Sequence, residues 1–303
     1  MAFELPPSKT NDTVNGLFFN PLHDLFAAVS HRRHCPKLDD LSWSLMGIWR
    51  VLDESGSGRG FLQEHGLRFQ SLPTVRNYFQ SLRSERRADL VTELNALLLE
   101  STRDQLTDRL ADIPELNTYE VLAVDGHWHT GATHDPKVSE KKASTGHFYS
   151  LDLRRHTLRD LAVNEYHKEH DMHVLKRLKP KGLRQGVTQG KRVLTVYDRA
   201  GVDFDYWRRC QKECAVYFLS RVKENMVFDS LFELDFDKED PRNAGVQRDE
   251  RVHSTKNLNF RVITYLEPET GQTLEFLTNV MDMEPGILVE LYRRRWEIEK
   301  VFD

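Results

Sequence analysis

Asp125 and Asp198 each close an apolar, β-branched run, "TYEVLAVD" (118–125) and "RVLTVYD" (192–198). Each is followed by residues that turn the chain, Gly126 in the first case and Arg199-Ala200-Gly201 in the second. Such runs predict buried strands, and ligand sites gather at the carboxyl ends of strands in sheets of this kind. Two carboxylates brought together there repel, and one must take a proton unless a cation lies between them. Hard oxygen donors suit Mg²⁺ or Mn²⁺. A third carboxylate, from a helix packed on the sheet, completes a pair of metal sites, and Glu299 is the candidate. Tyr292, Trp296 and Glu299 fall at steps of four and three, so they share one face of a helix. Two ions about 3.5–4 Å apart activate a water and stabilise a leaving oxygen in phosphodiester chemistry. A plainer reading stands beside this one. The chain has 47 acidic residues, an aspartate at a strand end is commonly a turn or helix cap, and spacing alone does not single out the trio.

Other residues invite chemistry and are read more plainly. His127 and His129 lie two apart, like a zinc pair on a strand, and "HDP" follows at 134–136. They lack a nearby cysteine and a clear third ligand, so hydrogen bonds to backbone or phosphate are the favoured reading. Cys35, Cys210 and Cys214 form no disulfide framework, are read as buried or half-buried thiols, and suit a reducing compartment. "SGSGRG" (55–60) lacks the Gly-Lys-Ser/Thr ending of a phosphate loop and follows a helix, so it reads as a helix stop. Trp296 is read as a core anchor ahead of a base-stacking platform.

The elements that must position these residues follow from composition and period. A chain of 303 residues with 39% hydrophobic and 30% charged content suits one large or two moderate soluble domains. No apolar run approaches the roughly 20 residues of a membrane span, and the N-terminus does not read as a signal peptide. The net charge of -4 hides local basic surfaces. Between Met172 and Val196 stand Lys176, Arg177, Lys179, Lys181, Arg184, Lys191 and Arg192 with no acidic residue. "HRRHCPK" (31–37) and "LRSERR" (82–87) are further clusters. Taken alone, such runs are solvated faces more often than phosphate contacts. Residues 1–115 read as helical, with "SLPTVRNYF" having the form of a short DNA-reading helix after a turn. From 116 the pattern is strand, hairpin (146–153 and 157–164), helix, strand, helix, strand, then a terminal helix starting near Glu284-Pro285. That order predicts a mixed α/β domain around one sheet.

At this point three blocks resemble a known family: "VLAVDGHWH", "LTVYDRAGVDF" and "LYRRRWEIEKVFD". The chain resembles the DDE insertion-sequence transposases with the Tyr-Arg-Glu-Lys signature, cut-and-paste enzymes with a ribonuclease H-like core. "SRVKEN", "FLTN" and the "SGRGFLQ" region are similar as well. The resemblance implies an α/β fold, a ribonuclease H-like mixed sheet with flanking helices. It further implies a helical N-terminal DNA-binding region over 1–115, a catalytic core over 116–303 and a β-rich insertion at about 223–282. Asp125, Asp198 and Glu299 are then the catalytic metal ligands for Mg²⁺, with Mn²⁺ able to substitute. Tyr292 and Arg295 are implied to hold DNA near the transposon end, Arg295 as a planar phosphate clamp. Arg199 and the basic run Lys176, Arg177, Lys179 and Lys181 become a DNA-facing surface. The implied partners are double-stranded DNA, both terminal repeats and target, and a second copy in the DNA complex. The implied location is the prokaryotic cytoplasm, at the nucleoid. Second-strand cleavage in the family can run through a hairpin with a base taken out of the stack. The signature lysine falls three positions past Asp303, so the final helix is expected to be cut short. Two alternatives therefore accompany the transposase: a nuclease or resolvase of the same fold that cuts without joining, and an inactive DNA-binding fragment that inhibits the full enzyme in mixed dimers.

Overall fold

Helical spacing in the first hundred residues produces α1 (Asn20–Phe26), α2 (Asp40–Leu52), α3 (Gly58–His65), α4 (Val75–Ser81) and α5 (Glu85–Thr102). The computed structural model describes residues 15–30, 33, 38–52, 58–65, 74–130, 144–164, 169–199, 201–254 and 258–302. Most of "HRRHCPK", and the whole of "HDP", lie outside them. The helices belong to a unit spanning Met1–Leu106. Phe19, Leu22, Phe26, Leu45, Leu90 and Leu94 form one of its cores; Trp43, Met46, Phe61 and Tyr78 belong to another. Thr74 and Ser84 cap α4 and α5, their side chains accepting from Asn77 N and Arg87 N. Two arginines of "LRSERR" serve this fold directly. Arg86 donates twice to the buried Asp40 carboxylate at 2.8 Å, and Arg87 once at 3.2 Å.

The second unit, Thr107–Asp303, is built on a single nine-stranded sheet. The run ending on Asp125 forms β1 (Tyr119–Thr130). Its Val121 and Ala123 enter one buried cluster and Leu122 and Val124 another, so the strand is covered on both faces. β2 (Ser144–Asp152) and β3 (Thr157–Val163) form the expected antiparallel hairpin beside it. β4 (Arg192–Val196) and β5 (Val216–Arg221) run parallel to β1 on its other side. β6 (Phe228–Glu233), β7 (Val246–Ser254), β8 (Asn259–Leu266) and β9 (Thr273–Thr278) follow. The order is β3-β2-β1-β4-β5-β9-β8-β7-β6. β9 pairs antiparallel with β5 through Leu219 opposite Thr278 and Ser220 opposite Leu277. The β-rich segment before the last helices therefore extends the core sheet.

Helices cover both faces of this mixed sheet. α6 (Asp171–Gly182) and α7 (Phe204–Cys214) contribute Val174, Leu175, Tyr206, Trp207 and Cys210 to the Leu122 side. Trp207 stacks on Phe218 with centroids 3.5 Å apart. α8 (Pro285–Arg294) and α9 (Trp296–Phe302) contribute Ile287, Leu288, Leu291, Tyr292 and Ile298 to the Val121 side. Fully burying one such side chain is worth about 1.5–3 kcal/mol, so both layers hold the sheet firmly. Two helices differ from their expected limits. The helix read from "YHKEHDMHVLKRLK" begins at Asp171 with His170 as its cap, and at Lys179, before Pro180, φ is +61°. Proline disfavours helical backbone in the residue before it, which interrupts the helix there. The terminal helix is broken at Arg295, where Arg295 N bonds Tyr292 O and Ile298 N bonds Arg295 O, both three residues apart. Among the described residues no helix is long and apolar enough to cross a membrane.

Candidate active site

Parallel pairing sets the two aspartates side by side. Ala123 lies opposite Val196 in the β1–β4 register, and Asp125 and Asp198 each stand two residues further along. Gly126 N donates to Asp125 Oδ1 at 2.9 Å, and Gly201 N to Asp198 Oδ1 at 3.2 Å. Ser220 on β5 donates to the Asp198 carbonyl at 2.8 Å, tying the turn to the next strand. Burial first, then the Asp198 charge, push the Asp125 carboxyl from 3.8 up to about 6. Arg295 and the Gly126 N–H pull the other way and do not prevail.

Glu299 reaches this place through the entry to α8. Gly286 N donates to Asn243 Oδ1 at 2.9 Å, and a Cβ at Gly286 collides with the Arg242 carbonyl, so only glycine fits. Arg261, buried, pairs with the buried Asp249 and donates to Met283 O at 2.7 Å, fixing the segment before the helix. Ile298, with 0% exposure, anchors α9 to the sheet. On this frame Arg295 is buried, its Nη1 2.7 Å from Glu299 Oε1 and 4.0 Å from Asp125 Oδ2. Its Nε has no hydrogen-bond partner among the described residues. The guanidinium thus occupies the position of a counter-cation between two carboxylates. Among the described residues no three histidine, cysteine or carboxylate side chains are gathered closely enough to hold a metal ion; Glu299 is paired with Arg295. The donor set, all carboxylate oxygen with a cation already seated in it, fits a hard divalent ion.

The remaining sequence candidates distribute around this centre. Tyr292 is buried, packs on Phe276 at 4.9 Å, and feels the charges of Arg295, Arg221 and Asp198. Arg199 is exposed beside Arg221, whose pKa falls through burial and then the Arg199 charge. Lys179 and Lys181 are exposed on α6. Lys176 pairs with Asp203 at 2.6 Å, and Arg177 holds Glu169 at 2.9 Å and the Val163 carbonyl at 3.1 Å, so these two carry structural bonds. Trp296 corrects its expectation: it is 57% exposed, because the tight turn at Arg295 hands the core position to Ile298. His129 Nε2 lies 3.0 Å from the Tyr149 hydroxyl, and His127 stacks on Phe302 at 4.6 Å. Asp171 and Arg221 escaped the sequence reading. Asp171 opens α6 beside Gly126, its carboxyl raised by burial and then by Asp198. Its only sequence signal was a charged helix start, which many solvated helices share.

The arrangement is a mixed sheet with Asp125 and Asp198 at two adjacent parallel strand ends and Arg295 of the last helices between Asp125 and Glu299. The chain belongs to the transposase DDE domain family, matched over residues 117–303. No curated protein matches it. Among solved structures it is similar to a piggyBac transposase in a synaptic complex with hairpin DNA, at 10% identity and a TM-score of 0.37, over 96% of this chain and 65% of that one. It is also similar to the Aquifex aeolicus Argonaute, at 10% identity and a TM-score of 0.27, over 74% of this chain and 31% of that one. The chain thus spans less than two thirds of the length of either.

Proposed function

We propose that this chain is the catalytic part of a DNA transposase that cuts at transposon ends and joins them to target DNA. The observation that supports it most is the side-by-side placement of Asp125 and Asp198 at parallel strand ends, with Arg295 between Asp125 and Glu299, within a family-matched core. Asp125 and Asp198 are held by their strand ends and the Gly126 and Gly201 N–H groups; Glu299 leaves Arg295 to complete the donor set. These carboxylates would hold Mg²⁺, with Mn²⁺ able to replace it, and the ion would supply a lowered water pKa and charge compensation at the leaving oxygen. Arg295, beside Asp125 and Glu299, would be the group to meet a phosphate, which its fork-shaped donors suit. Arg199 and Arg221 supply further positive charge at the same strand ends. Trp296, exposed at the start of α9, offers a face for a base taken out of the stack. Lys179 and Lys181 extend a basic track for double-stranded DNA, and residues 1–115 recognise the terminal repeats. A pair of copies acting on two ends, at the nucleoid, completes this reading.

The test is strand transfer of a labelled, pre-cleaved end into a plasmid with Mg²⁺, beside cleavage of the intact end duplex. Asp198→Ala should abolish both while end binding stays within about twofold. Cleavage without joining would identify a nuclease of the same fold. Loss of binding with Asp198→Ala would make that aspartate structural and sink the reading.

A further inference from the structure

We propose that Arg109 is a positioning residue that sets the angle between α8 and α9 and so places Arg295 and Glu299 at the site. This rests on the transposase reading of that site. α9 has only seven residues, and a helix that short does not hold itself in water, so its direction comes from what it touches. Ile298, with 0% exposure, is the pivot on which it sits. At 3.6 residues per turn, Glu297 and Glu299 stand about 100° to either side of that pivot. Glu299 is paired with Arg295 at 2.7 Å. Glu297 is held by Arg109, whose Nη1 donates to its Oε2 at 2.8 Å. A roll of α9 about Ile298 moves both carboxylates together, so holding Glu297 holds Glu299.

Arg109 bonds both sides of the helix break. Its carbonyl accepts from Arg294 Nη1, at the end of α8, at 3.2 Å, while its guanidinium takes Glu297 in the first turn of α9. The residue is itself braced. Its N–H donates to Arg154 O at 2.8 Å, and Asp108 before it accepts from the buried Arg154 guanidinium. Leu110 after it, with 0% exposure, lies in the same core cluster as Leu291, Tyr292 and Ile298. His156 Nε2, from the turn after β2, stands 3.4 Å from the same Glu297 oxygen. An ordinary exposed ion pair is free to rearrange and contributes little, and it needs no such bracing. The helix dipole accounts for an acid in the first turn of α9, but not for its capture by a residue 188 positions earlier in the chain. Arg109 also lies ahead of the segment matched to the transposase domain, 117–303, so this brace is supplied from outside it.

The test compares single-turnover cleavage of labelled duplexes of the DNA flanking the gene, with Mg²⁺ and saturating full chain, with the Kd for the same duplexes. Arg109→Ala should slow cleavage by about tenfold to a hundredfold, the cost of a misplacement near 1 Å, with the Kd within about twofold. Arg109→Lys keeps a charged donor for Glu297 and should recover most of the rate. Glu297→Ala should slow cleavage by a similar factor, and the double variant by no more than either alone. Glu297→Ala also decides the matter if Arg109→Ala does not fold. Hydrogen exchange without DNA should be faster over 296–302 in Arg109→Ala and unchanged in the core strands. Rates unchanged in both single variants while Asp198→Ala cuts nothing, or losses that multiply in the double variant, overturn the positioning role and leave the transposase reading intact. Faster exchange throughout the core overturns it too, since the bond then serves general stability. Absence of cleavage by wild type overturns both.

Discussion

Replacing Asp125 with asparagine should stabilise the metal-free protein, and by an amount that depends on pH. In the folded chain the carboxyl titrates at about 6 in place of 3.8, driven by burial and by Asp198. A folded pKa above the unfolded one means that the native state holds the proton more tightly. Stability from this group is complete below pH 3.8 and is lost as pH rises through about 6. The displacement corresponds to about 3 kcal/mol, all of it unfavourable at pH 8. Asparagine has nearly the same shape and no charge, so it escapes that cost, while at pH 4 the wild-type carboxyl is already protonated in the native state. The expected outcome of urea unfolding in chelator is an Asp125→Asn variant about 2–3 kcal/mol more stable than wild type at pH 8 and nearly equal to it at pH 4. Saturating Mg²⁺ should reverse the order, because only the carboxylate binds the ion. A variant no more stable than wild type at pH 8, or a gap that ignores pH, would refute the idea that Asp125 is strained by its neighbours.

Two further outcomes follow from the same geometry. Arg261→Ala leaves Asp249 charged and buried and unties the segment before α8, so urea unfolding should show a loss of about 3–5 kcal/mol; a loss under 1 kcal/mol would mean that the pair does not set the α8 entry. Changing Lys179 and Lys181 together to alanine should weaken end binding and reduce the slope of log K against log salt by about 2, and an unchanged slope would remove α6 from the DNA face.

Much of the sheet was legible because its signal is local. The runs around Asp125 and Asp198 are apolar, β-branched and stopped by turn residues, and such strands are specified by a few adjacent positions. Glu299 was singled out by its step from Tyr292 and Trp296 and by resemblance to a family motif, and the structure places it on Arg295. What local pattern could not carry was convergence across the sheet. Asp171 meets Gly126 only because α6 packs on the face opposite α9, and no spacing in the sequence encodes that approach. Trp296 was misjudged because period 3.6 assumes an unbroken helix, whereas the turn at Arg295 shifts the buried stripe to Ile298. Within the basic clusters, Arg86, Arg87 and Arg177 pair with Asp40 and Glu169, partners that composition does not reveal.

The central claim is that Asp125, Asp198 and Glu299 hold a pair of metal ions, and anomalous diffraction from crystals soaked in Mn²⁺ tests it most directly. Two peaks about 3.5–4 Å apart among these carboxylates, with Arg295 moved off Glu299, are what the account predicts. Saturated crystals with no peak there, and Arg295 still paired to Glu299, would contradict it.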